Sequence, residues 1–178
     1  MDGLAAYTND RHQAILDLSL DDPDADLPFS RHLALSNLWT ADFTDRAIRE
    51  YKRFLILTDE AGQAVSPSDA VDQVWHLHLT YTRHYWDHLC REILGWDLHH
   101  TPCEGGNGNA EQRAELYRQT LESYCAVFGE TPPADIWPAP DQRFTARHAR
   151  IDISRNQIVP KPEADLSWQR RELREARS

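Results

Sequence analysis

The sequence predicts a mainly α-helical fold: a compact domain of about five helices around a central helix rich in tryptophan and histidine. Three observations carry this reading. Apolar residues recur at three- and four-residue spacing from Ala14 to Phe128, hydroxyl residues stand where helix caps belong, and glycine closes several of the runs. The alternation that marks strands is confined to one short stretch near the C-terminus.

The 178 residues suffice for one domain with a true core, and six tryptophans supply much of the bulk to fill it. Residues 9–20 place Ala14, Ile15, Leu18 and Leu20 at helical spacing, and the acidic turn Asp21-Asp22-Pro23-Asp24 ends that helix. A second helix runs from Ser30 through Leu33, Leu35 and Leu38 to Trp39. Thr44 is the expected cap of a third, carrying Ala47, Ile48, Tyr51, Phe54 and Leu55, with Gly62 after it. Ser66-Pro67-Ser68-Asp69 opens the central helix with a capping hydroxyl, a first-turn proline and an acid at the positive end of the dipole. Its pattern runs unbroken to Ile93 or Leu94 and stops at Gly95.

Residues 104–109 are expected as a flexible loop, and a fifth helix is expected to follow on Ala114, Tyr117, Leu121, Tyr124 and Phe128, closed by Gly129. Prolines exclude a helix at 132–140, which is expected as an extended arm packed through Ile136 and Trp137. Residues 151–159 can form a small β-hairpin, and a polar helix can start near Ala164. The expected organisation is a helical domain over 1–140 and a C-terminal arm over 141–178.

The chemistry concentrates between Asp72 and Cys103. On a regular helix His76 and His78 point roughly 200° apart, so the HxH sequence is not itself a ligand pair. Projection places His78 on the apolar stripe with Val71, Trp75, Tyr85, Trp86 and Leu89, as a core histidine with a hydrogen-bond partner. A second stripe holds Asp72, His76, Arg83 and Cys90, where Asp72 stands one turn from His76 and can orient its imidazole or share a metal with it. His84 and His88 make an i, i+4 pair on a third stripe, expected to be solvated. Beyond the helix, Leu98-His99-His100-Thr101-Pro102-Cys103-Glu104 gathers two imidazoles, a thiol and a carboxylate on a proline-fixed loop. This loop joins His76 only if residues 95–102 fold back along the helix.

The block Val71-Asp72-Gln73-Val74-Trp75-His76-Leu77-His78, with Tyr85, a cysteine, Leu98-His99-His100-Thr101-Pro102 and Ala134-Asp135-Ile136-Trp137-Pro138, resembles the glycine-rich domain-containing protein family. The resemblance covers roughly 29–140. No glycine-rich tail follows here, and Cys90 lies one residue later than the family's cysteine. What it implies is a set of positions to inspect, Asp72, Trp75, His76, His78, His99 and His100, rather than an activity.

Charge narrows the field. A net charge of −10 and no basic block ahead of the Arg-Glu-rich C-terminus argue against nucleic acid as a partner. No apolar run is long enough to insert in a membrane. The N-terminus lacks a secretory pattern and the three cysteines form no CxxC pair, so the reading is reduced thiols in a cytoplasm. No nucleotide or flavin motif is present.

Three functions compete, and the residues leave enzyme or non-enzyme open. The first is a metal site, for zinc or another transition ion, built from His76, Asp72 and His99 or His100. His78, Trp75, Arg83, Tyr85 and Cys103 are its candidate supports or alternative ligands. The second is a non-enzymatic module that binds a protein partner, with structural histidines. The third is metal-free chemistry at Cys103 beside His99 and His100.

Overall fold

Helix signals along the chain become helices in the computed structural model, which describes residues 10–61, 64–100 and 110–145. The expected hairpin, the polar helix near Ala164, the loop at 104–109, Gly62 and Cys103 lie outside the described residues. In chain order the helices are α1 (Asp10–Asp17), α2 (Phe29–Asn37), α3 (Ala41–Glu60), α4 (Asp69–Thr80), a π-helix (His84–Leu94), α5 (Ala110–Phe128) and α6 (Pro140–Thr145). Every regular element among the described residues is helical.

The caps differ in detail from those expected. Thr40, not Thr44, caps α3, accepting from the Phe43 amide at 3.2 Å. Thr44 is already inside the helix, buried, and its hydroxyl donates back to the Thr40 carbonyl at 2.9 Å. Ser68 caps α4 through the Val71 amide, which leaves Pro67 outside the helix and places Asp69 and Asp72 in the first turn.

Helix α3 is the axis of the core. Ala47, Tyr51, Phe54 and Leu57 recur at helical spacing and are buried, and α1, α2, α4 and α5 all pack on this helix. Glu50 lies among them, only 6% exposed, and its carboxylate accepts from Trp137 Nε1 at 2.9 Å and from the Tyr124 hydroxyl at 3.0 Å. Arg53 one turn on lies 3.3 Å from the other carboxylate oxygen, so the buried charge is paired and bonded. Residues 132–139 are non-helical, as the prolines require. Rather than running straight, they bend at Pro133, whose carbonyl accepts from the Ile136 and Trp137 amides. Ile136 and Trp137 are buried at 1% and 2%. Helix α6 follows at once and packs against α5.

Candidate metal centre

The long central helix read from the pattern is two helices. Tyr81 adopts φ −86° and ψ 61°, and its amide bonds to the His78 carbonyl three residues back. In an unbroken helix that amide would bond to the Leu77 carbonyl, but the Thr80 hydroxyl donates to this oxygen at 2.6 Å. Tyr81 is held in its new position by α2, with its ring edge-on to Phe29 and its hydroxyl 3.2 Å from His32 Nδ1. The chain then winds in wide turns and ends with the Gly95 amide bonding to the Cys90 carbonyl five residues back. Gly95 takes φ 84°, a conformation that suits glycine, and reverses the chain.

That reversal returns residues 97–100 towards α4. A clamp fixes the return: Trp75 Nε1 donates to the Tyr85 hydroxyl at 2.8 Å, and Tyr85 donates to the Leu98 carbonyl at 2.5 Å. Two residues on, His100 Nε2 lies 2.9 Å from Asp72 Oδ1. His76 Nδ1, one turn along α4, lies 3.5 Å from Asp72 Oδ2. The imidazole centroids of His76 and His100 are 4.5 Å apart, and the edge of Trp75 packs against His100 at 4.6 Å. One donor atom from each of Asp72, His76 and His100 lies within 4.8 Å of the others.

The cluster is graded from inside to outside. His100 and Asp72 expose 18% and 25% of their side chains, whereas His76 exposes 44%. Two ligand atoms at about 2.1 Å from one ion stand about 3.0 Å apart in an octahedron and about 3.4 Å apart in a tetrahedron. His100 Nε2 stands 2.9 Å from Oδ1 and His76 Nδ1 3.5 Å from Oδ2, spacings of that order but to different oxygens of the one carboxylate.

The other candidates take separate places. His99 is exposed and lies against Trp86, with ring centroids 5.4 Å apart. Arg83 is exposed, away from the cluster's hydrogen bonds. Cys90 is buried beside Tyr85, and burial pushes its thiol up, the opposite of what a nucleophile needs. His78 is fully buried: the Tyr51 hydroxyl is 2.9 Å from its Nδ1, and His84 Nδ1 is 2.8 Å from its Nε2. Burial first, then His84 and His88, lowers its pKa to about 3, so this ring is neutral. His84 is therefore not the solvated residue expected; the break at Tyr81 turns it inward onto His78, and it also bonds to the Ser19 backbone. Its pair partner His88 stays about half exposed and bonds to Glu92 at 2.6 Å. A second group, His12 with Asp59 and Glu60, has no motif to mark it in the sequence, because His12 lies 47 and 48 positions before the adjacent pair of acids.

Fold and site together define a helical domain that presents an imidazole–carboxylate cluster where its central helix meets a returning loop. The chain belongs to the UCP032817-like family, whose model matches residues 32–132, a span that includes Asp72, His76 and His100. No curated protein and no solved structure matches the chain. No helix among the described residues is long and apolar enough to cross a membrane.

Proposed function

We propose that this domain binds a transition-metal ion, zinc by preference, through Asp72, His76 and His100. The observation that carries the reading is the return of His100 to 2.9 Å from Asp72 Oδ1, opposite His76 at 3.5 Å from Oδ2. Two imidazoles and one carboxylate are the donors that zinc, iron(II) and related ions prefer. The half-exposed His76 side leaves further coordination positions open to water or a substrate. A metal held so would supply Lewis acidity and an acidified water, which suits hydrolysis.

The chain's own residues do the rest. Tyr85 and Trp75 fix the loop that carries His100, and Trp75 excludes water from one side of the cluster. Zinc titration of the purified protein by calorimetry tests the assignment. Binding at this site is lost in His100→Ala and weakened at least tenfold in His76→Ala, with the helical circular dichroism retained. Zinc binding of unchanged affinity and stoichiometry in both variants would leave only a hydrogen-bonded trio, and the reading would fall.

A further inference from the structure

We infer that the junction of α1 and α3 is a second divalent-cation site, built from His12, Asp59 and Glu60 and sharing no residue with the first. Asp59 and Glu60 close α3, whose last turn has no basic residue. Carboxylates at a helix C-terminus face the negative end of the dipole, so this corner of the fold demands positive charge. Arg11 answers part of it, with its Nη1 2.9 and 3.0 Å from the two Asp59 oxygens. Both of those bonds go to Asp59, which leaves Glu60 to the neighbouring side chain of α1.

His12, the next residue, points its Nε2 into the same corner, 3.1 Å from Glu60 Oε1 and 3.6 Å from Asp59 Oδ2. Its side chain is only 3% exposed, so the imidazole is held in place by packing. The three donor atoms lie within 4.8 Å of one another, and the two imidazole–carboxylate separations fall on either side of the tetrahedral edge of about 3.4 Å. One imidazole and two carboxylates suit a borderline ion, Zn²⁺ or Mn²⁺, better than the all-oxygen preference of Ca²⁺. Arg11 keeps its place behind Asp59, as outer partners of ligating carboxylates commonly do.

The role is structural. Helix α1 has eight residues and buries only His12 and Ile15, too little to be stable by itself. An ion bridging His12 to the end of α3 fastens it to the domain, and an ion that binds only the folded state raises the melting temperature.

The test is a Zn²⁺ and Mn²⁺ titration of the full chain by calorimetry, with thermal melts at each metal concentration. In His100→Ala one equivalent of metal still binds and still raises the melting temperature. In Glu60→Gln, a mild change at a partly exposed side chain, that equivalent weakens at least tenfold and its thermal shift disappears; His12→Gln behaves alike where it folds. Absence of any metal binding in His100→Ala, or unchanged binding in Glu60→Gln, overturns the site and leaves an ion-pair cluster. The first proposal is judged separately, by the equivalent that His100→Ala removes.

Discussion

The Tyr85 hydroxyl accepts from Trp75 and donates to Leu98, so one oxygen joins α4 to the returning loop. Tyr85→Phe leaves a buried indole N–H and a backbone carbonyl unpaired, at a cost of about 1–3 kcal/mol measurable by urea denaturation. On the proposed reading, zinc affinity falls with it by about 10–100-fold, as for other outer-shell changes, and calorimetry on the variant checks this. Buried His78 makes a different prediction. Its pKa in the folded protein is depressed from 6.5 to about 3. The unfolded chain therefore binds that proton more readily, and the stability His78 confers is complete above about pH 6.5 and lost as pH falls towards 3. His78→Phe flattens this part of the profile, while denaturation midpoints from pH 7 to 4 in the parent protein decline. The burial of His78 was legible from its stripe. Its two partners were not, because Tyr51 comes from another helix and His84 arrives only through the break at Tyr81.

At the scale of elements, the central helix shows where sequence reading runs out. Its start, its apolar stripe and its stop at Gly95 were legible from capping residues and spacing. The break was not, because Leu77 to Leu94 keeps an apolar periodicity that an α-helix would satisfy equally well. A single hydroxyl, Thr80 on the Leu77 carbonyl, and the seat of Tyr81 between Phe29 and His32 decide it. The short helix α6 escaped for the opposite reason: prolines on both sides of Ala139 read as a stop, although Pro140 is well suited to a first helical turn. Gly95 gives this scale its prediction. An added Cβ meets nothing within 4 Å, so Gly95→Ala pays only for the φ of +84°, about 1–2 kcal/mol. Gly95→Asn costs less, since asparagine tolerates that region. Equilibrium unfolding of both variants ranks them, and an alanine variant as stable as the parent would contradict the account.

For the whole molecule, Glu50 is the joint. Its carboxylate holds Tyr124 of α5 and Trp137 of the proline-rich bend against α3, three parts of the chain that no local motif connects. Glu50→Ala is expected to cost about 1–3 kcal/mol for each of the two buried donors, Tyr124 and Trp137, that it strips of an acceptor. The thermal midpoint reads the loss, and the fluorescence of Trp137 shifts as its surroundings become wet. The candidate metal centre has the same long-range character, for Asp72 and His100 are 28 positions apart and meet only after the chain has turned at Tyr81 and again at Gly95. On the proposed reading, an ion there closes a loop of the chain much as a disulfide would, removing freedom from the unfolded state in a way that grows slowly with loop length. Its arrival would then time the end of folding: in a refolding experiment, zinc uptake at this centre lags behind the gain of helix, because the pincer exists only once both reversals are complete.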